Sequence, residues 1–135
     1  MPHDDEDVPD DAYVVRYINA MWLVPDDIRQ DQRRLSSAAF SPSSKSHDHY
    51  QGMSVDLLEQ MRMAGISPVD KKGAKFEAIV RLRVGSIRTM GLRVGTDPRH
   101  ENPFHAAVWG IKKGRTKKQL LKLCEWLDKP DDVIA

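Results

Sequence analysis

Apolar residues alternate with arginines in residues 80–84, and this is the clearest pattern in the chain. A period of two places Arg81 and Arg83 on one face of a strand and the apolar side chains on the other. Other segments are rich in β-branched and aromatic residues, which also favour strands. These further predicted strands are residues 13–18, 92–94 and 104–111.

Three short helices are predicted from capping residues and from residues that stop helices. Asp56 is a favourable N-cap for a helix that ends at Gly65, and residues 86–91 form a second helix with its closing glycine. A last helix is capped by Thr116 and stopped by Pro130. Three to four strands and about three short helices, without regular βαβ alternation, predict a small α+β domain.

Residues 1–12 differ from the rest of the chain in composition. They contain six acidic residues, two prolines and no lysine or arginine. Such a segment has little to bury, and its composition is typical of a disordered tail. We therefore expect a disordered acidic tail over residues 1–12 and a single α+β domain over residues 13–135.

The net charge of +1 hides an uneven distribution along the chain. Residues 71–118 carry thirteen lysines and arginines against three acids, a local charge of +10. This excess predicts a basic face for nucleic acid, a nucleotide or an acidic partner protein, although a merely solvated surface explains the same charges. The candidate contacts are Arg81, Arg83, Arg88, Arg93, Lys112, Lys113, Arg115, Lys117 and Lys118.

Several classes of protein are disfavoured by what the sequence lacks. No apolar stretch is long enough to span a bilayer, so no membrane contact is expected. The acidic N-terminus is unlike a secretory signal, and the single Cys124 cannot form an internal disulfide. These features favour the cytoplasm. No glycine-rich phosphate loop, nucleophile elbow or metalloprotease helix is present, and the sequence points to no particular cofactor.

The histidines are the residues with the most chemical potential. His47 and His49 lie in a polar loop, and His105 lies in the most apolar predicted strand. If the fold brings them together, these three side chains could bind zinc or manganese. The alternative for His105 is a hydrogen-bonded histidine in the core. Asp97 is one of the two acids nearest His105 and could act as its acid/base partner, although an aspartate before a proline is also a common turn residue.

Arg34, Ser36 and Ser37 are a second group of candidate site residues. A guanidinium beside two hydroxyls can bind a phosphate, and either hydroxyl could serve as a catalytic partner of His105. Ser36 could equally cap a short helix through residues 38–40. Both interpretations stay open at this level.

Short motifs in the chain resemble those of a group of small, uncharacterised bacterial proteins. The motifs are residues 34–40 (Arg-Leu-Ser-Ser-Ala-Ala-Phe), 53–55 (Met-Ser-Val) and 102–106 (Asn-Pro-Phe-His-Ala). The group has Arg-Pro-Ser-Ser-x-Ala-Phe, Met-Ser-Val and Asn-Pro-Ala-His-Ala in the same order. The resemblance covers about residues 33–130, with Leu35 in place of proline and Phe104 in place of alanine. It implies a small bacterial domain with no assigned activity, and it adds weight to a set of site candidates. These are Arg34, Ser36, Ser37, Ser54, Asp97 and His105.

Two functions are compatible with these residues. The first is a small intracellular binding or accessory module whose basic face contacts nucleic acid, a nucleotide or an acidic protein. The second is a small His105-dependent hydrolase or transferase, with or without a metal, that acts on a phosphate-containing substrate. The charge distribution favours the binding module, because it requires no convergence of distant loops.

Overall fold

Six antiparallel strands form the main sheet of the protein. The structure, a computed structural model, describes residues 2–42 and 52–135. The main sheet has the order β6-β7-β4-β1-β5-β8, and β2 and β3 form a separate ribbon. The strands are β1 Tyr13–Ile18, β2 Leu23–Pro25, β3 Arg33–Leu35, β4 Met53–Leu57, β5 Ala78–Arg83, β6 Arg93–Thr96, β7 His105–Trp109 and β8 Glu125–Asp128. The helices are α1 Leu58–Met63, α2 Pro68–Lys72, α3 Val84–Thr89 and α4 Gly114–Leu123. Across residues 2–42 and 52–135, no helix is both long and apolar enough to cross a membrane.

The α+β class is confirmed, but the predicted number of strands is wrong. Eight strands occur in the described residues instead of three or four. The sequence did not predict strand β4, because Asp56 resembles a helix N-cap. It did not predict β8, because the residues of that strand continue the apolar stripe of the last helix. In the structure α4 ends at Leu123, and the backbone at Cys124 is already extended (φ −70°, ψ 151°).

Both faces of the main sheet are covered, which explains the apolar strands. One face carries Val14, Ile18, Val80 and Leu82, all in the larger core cluster. The opposite face carries Val15 and Ile79, which pack with Leu58 and Met61 of α1 in a smaller cluster. Strands buried on both faces need apolar residues at nearly every position. A charged residue inside β1 is therefore unexpected.

The alternating strand is confirmed as β5. Arg81 and Arg83 lie opposite Val15 and Tyr13 of β1, so they share one face of the sheet. The Arg81 guanidinium lies 4.3 Å from the centre of the Tyr13 ring, and its Nε is 3.3 Å from a Glu125 carboxylate oxygen. Arg81 is thus partly engaged within the protein, whereas Arg83 is exposed.

The N-terminal segment, residues 2–12, lies against β6 and α3. The Asp5 amide donates to the Val94 carbonyl at 2.9 Å. Arg88 of α3 donates to Asp4 at 3.1 Å and to Asp10 at 2.8 Å. Val8 is only 5% exposed, so the segment does bury an apolar side chain, contrary to the reasoning from composition. The disorder of residues 1–12 and the folding of residues 13–135 as one domain stay predictions.

Candidate functional site

A pocket opens where two neighbouring strands of the main sheet separate. β1 pairs with β4 only at Val14↔Leu57 and Val15↔Asp56, although it pairs with β5 along its whole length. Beyond these two pairs the strands diverge, and the pocket there has a volume of about 240 Å³. Its walls are Arg16, Tyr17, Trp22, Ser54, Val55, Asp56, Lys71, Phe76, Asn102 and His105.

Arg16 bridges the gap between the two strands. Its Nε donates to the Ala39 carbonyl at 3.0 Å, and its Nη1 donates to the Ser54 carbonyl at 2.8 Å. The guanidinium lies 4.7 Å from the centre of the Trp22 ring. Burial lowers the pKa of Arg16 to about 10, so the group remains cationic at neutral pH. No carboxylate in residues 2–42 or 52–135 pairs with it.

Asp56 is the centre of a hydrogen-bond network on the opposite wall. Its side chain is 4% exposed and accepts from Tyr17 Oη at 2.9 Å, Lys71 Nζ at 2.5 Å and Asn102 Nδ2 at 2.7 Å. Burial and the nearby Asp56 charge raise the pKa of Tyr17 well above its usual range, so its hydroxyl stays a donor. The predicted role of Asp56 as a helix N-cap is wrong, because three side-chain donors hold it and α1 begins two residues later.

His105 lies next to Asp56 on the neighbouring strand β7. It is 8% exposed, and its Nδ1 lies 2.9 Å from the Asp97 carbonyl and 3.3 Å from the Asp97 carboxylate. A carbonyl can only accept, so in the neutral ring Nδ1 carries the proton and Nε2 keeps its lone pair. His105 therefore presents a hydrogen-bond acceptor in the wall of the pocket.

The charged groups of the pocket do not cancel. Arg16 and Lys71 contribute two positive charges and Asp56 contributes one negative charge. Lys71 already neutralises Asp56, and the remaining positive charge belongs to Arg16. Among the described residues, the pocket thus has mostly apolar walls, a few fixed polar groups and one cation without a carboxylate partner, and such a site suits a small anionic group.

Only some of the predicted site residues meet at this pocket. His105 and Ser54 line it, and Asp97 contacts His105. Ser36 Oγ accepts from the Ala38 amide at 3.2 Å and caps the short 3-10 helix Ser37–Phe40, and Ser37 is the first residue of that helix. Arg34 lies on β3 opposite Val24 and is not part of the pocket wall.

The structure describes only one of the three predicted metal ligands. His105 lies on β7, whereas His47 and His49 lie in residues 43–51, which are not described. In the described part of the chain, no group of three or more histidine, cysteine, aspartate or glutamate side chains could hold a metal ion. Zinc or manganese binding through His47, His49 and His105 stays a prediction.

Arg93 lies on β6, and the other remaining basic candidates gather at the start of α4. Lys112, Lys113 and Arg115 are exposed, and the first turn of α4 contains no acid. Cations at a helix N-terminus are unfavourable because of the helix dipole, so helix stability does not explain them. The helix packs against Ser37–Phe40, whose Ala39 carbonyl accepts from Arg16.

Sequence reasoning missed the residue that gives the pocket its charge. Arg16 was treated as part of an apolar strand, although a charged residue on the core-facing side of β1 was itself a signal. Asp56, Lys71 and Asn102 gave no such signal, because they are far apart in the sequence. Comparison of the chain with protein-family models, curated proteins and solved structures finds no match. Function must therefore be inferred from the pocket itself.

Proposed function

We propose that the protein is a binding module for single-stranded nucleic acid or a nucleotide, and that the pocket at Arg16 receives one phosphate group. The observation that carries this proposal is the Arg16 guanidinium, which lines the pocket without a carboxylate partner in the described residues. Its two bonds to backbone carbonyls fix its orientation before any ligand arrives. A fixed guanidinium binds phosphate with a smaller entropy cost than a mobile lysine.

The rest of the wall supports a ligand with a flat ring beside its charge. Trp22, Tyr17 and Phe76 all line the pocket, and the last two lie 5.5 Å apart between ring centres. Aromatic side chains are the usual stacking partners of unpaired bases. The volume of about 240 Å³ lies below the ~300–1,000 Å³ of most ligand pockets, which favours one nucleotide unit over a larger molecule.

The cations near α4 would extend the contact along a nucleic-acid strand. Lys112, Lys113 and Arg115 are exposed, and α4 packs on the same 3-10 helix that holds Arg16. Such contacts attract phosphates without reading sequence. An acidic partner protein would meet the same cations, but it would gain nothing from the aromatic wall.

The proposal is tested by binding of a labelled single-stranded oligodeoxynucleotide, measured by fluorescence anisotropy. Arg16→Gln should weaken binding about 10–100-fold, because a charged hydrogen bond is worth ~1.5–3 kcal/mol. Arg16→Lys keeps the positive charge but loses the planar guanidinium, so its affinity should lie between those of the wild-type protein and Arg16→Gln. The matched control is Arg62→Gln, which removes an exposed arginine of α1 that pairs with Glu59.

Circular dichroism and thermal unfolding show whether each variant is folded. If Arg16→Lys and Arg16→Gln are folded and bind as tightly as Arg62→Gln, Arg16 is not the anchor. Binding of an acidic peptide in preference to the oligonucleotide would support the protein partner instead. We also propose, as the sequence motifs suggest, that the chain belongs with the small bacterial proteins that carry them and acts in the cytoplasm.

A further inference from the structure

We propose that the same pocket cleaves RNA without a metal, by attack of the substrate's own 2′-hydroxyl on the adjacent phosphate with His105 as the general base. This inference rests on the proposed function, since it requires a phosphate at Arg16. It makes specific the hydrolase or transferase alternative, and it identifies single-stranded RNA as the substrate.

The first support is the orientation of His105. The Asp97 carbonyl, 2.9 Å from Nδ1, fixes the tautomer in which Nε2 has the free lone pair. The Asp97 carboxylate, 3.3 Å from the same nitrogen, lies where it would stabilise the imidazolium that forms when Nε2 takes a proton. Asp97 is therefore a positioning residue, and His105 is the catalytic residue.

The second support is the relation of His105 to Arg16. Arg16 shares the face of β1 that carries Val14 and Ile18, whereas His105 lies beside Asp56 on the opposite face of the sheet. The two side chains reach the pocket from these two faces, at the gap where β1 and β4 separate. Both side chains line the same pocket. A nucleotide between them would place its phosphate toward the guanidinium and its sugar toward the imidazole.

The reaction needs no group that the pocket lacks. His105 Nε2 accepts the proton of the 2′-hydroxyl as the bond from the 2′-oxygen to phosphorus forms. The bond from phosphorus to the 5′-oxygen breaks, and that oxygen takes a proton from water. The imidazolium then returns its proton to solvent. Arg16 stabilises the negative charge that grows on the phosphate oxygens. The products are a 2′,3′-cyclic phosphate and a free 5′-hydroxyl.

The experiment compares two oligonucleotides of the same sequence, one of RNA and one with 2′-deoxyribose throughout, in the presence of EDTA. The wild-type protein should bind both and cleave only the RNA, and mass spectrometry should show a 2′,3′-cyclic phosphate end. The variant His105→Asn retains an N–H near the position of Nδ1 and lacks Nε2. At RNA concentrations that saturate each protein, it should cleave RNA about 10²–10⁴-fold more slowly than the wild-type protein.

The outcomes separate this inference from the proposed function. Binding of the deoxy strand without cleavage of the RNA overturns the catalytic role and leaves the binding module intact. Cleavage by His105→Asn at the wild-type rate also overturns it, because the base would lie elsewhere. Failure to bind either strand overturns both proposals. Loss of cleavage when a single 2′-deoxy sugar replaces the ribose at the cut site is the most direct support.

Discussion

Asp56 shows how one buried charge organises the pocket at the scale of single residues. Burying a carboxylate is costly unless several donors surround it. Here Tyr17, Lys71 and Asn102 bring donors from a strand, a helix and a turn to the same two oxygens. The network thereby fixes one wall of the pocket before any ligand binds.

Removing this charge should destabilise the protein. We expect Asp56→Asn to lower the free energy of unfolding by about 2–4 kcal/mol, somewhat less than the ~3–5 kcal/mol of a fully buried pair. The discount applies because the Lys71 side chain is 28% exposed. Urea unfolding measures the change. The control Glu59→Gln removes an exposed partner of Arg62 and should change stability by no more than about 0.5 kcal/mol. Equal effects of the two substitutions would contradict a structural role for Asp56.

The pocket could be predicted from sequence only in part, because its residues signal their roles unequally. His105 was identifiable as a polar residue in an apolar strand, and Ser54 through a motif. Lys71 was counted only as part of a charge excess, and its partner Asp56 precedes it by fifteen positions in the chain. Pairing of this kind depends on how α2 packs near β4, and no local pattern records it.

At the scale of elements, the N-terminal segment acts as a cover for the edge strand β6. An edge strand exposes unpaired backbone groups. The Val94 carbonyl accepts from the Asp5 amide, and the Val94 amide donates to the Asp4 carboxylate at 3.1 Å. Gly95 permits this approach, since a Cβ there would lie 2.5 Å from His3. The acids of the segment thus serve a structural purpose that composition did not reveal.

The cover should open in acid. Burial opposes the charge on Asp4, but the Val94 amide and Arg88 outweigh it and lower the pKa of Asp4 from its ordinary 3.8. The hydroxyl of Thr96 likewise lowers the pKa of Asp5. A carboxylate whose pKa is lowered by folding stabilises the folded contact at pH values above its ordinary pKa. That stabilisation is lost as the pH falls through the pKa of the carboxylate in the folded protein. The segment should therefore be held above about pH 4 and released below it.

Amide hydrogen exchange measures this release. We expect the Asp5 amide to have a protection factor well above one near neutral pH, and this factor should decrease below about pH 4. In Arg88→Gln the protection factor of the same amide should be smaller at every pH. The Leu57 amide, which donates to the Phe104 carbonyl within the main sheet, is the internal reference. Unprotected exchange at Asp5 at every pH would instead support the disordered tail expected from composition.

Elements were predictable where their pattern was local. β5 and β1 were correct because their period or composition is visible within six residues. β8 was missed because Trp126 and Leu127 keep the spacing of a helical stripe, and only pairing with β5 makes them extended. Tertiary pairing outweighs helix propensity there.

At the scale of the whole molecule, the basic surface should make nucleic-acid binding sensitive to salt. Each phosphate contact on a single strand contributes about 0.7 to the slope of log affinity against log salt concentration. The double variant Lys112→Gln/Lys113→Gln should therefore lower that slope by about 1.4, measured by anisotropy with the oligodeoxynucleotide. The control is Arg62→Gln, which lies away from α4. An unchanged slope would show that these lysines only keep the surface solvated.

The narrow pairing between β1 and β4 also has a consequence for how the chain reaches its structure. Strands β6, β7 and β4 lie on one side of that junction and β1, β5 and β8 on the other. Along the chain, the described strands of the main sheet alternate between the two sides. The chain crosses the junction between β1 and β4, between β4 and β5, between β5 and β6, and between β7 and β8. Each half is therefore built partly from strands that are distant from one another in the sequence. Folding must therefore wait for distant segments to meet, and refolding from denaturant should be slow, on the order of milliseconds to seconds.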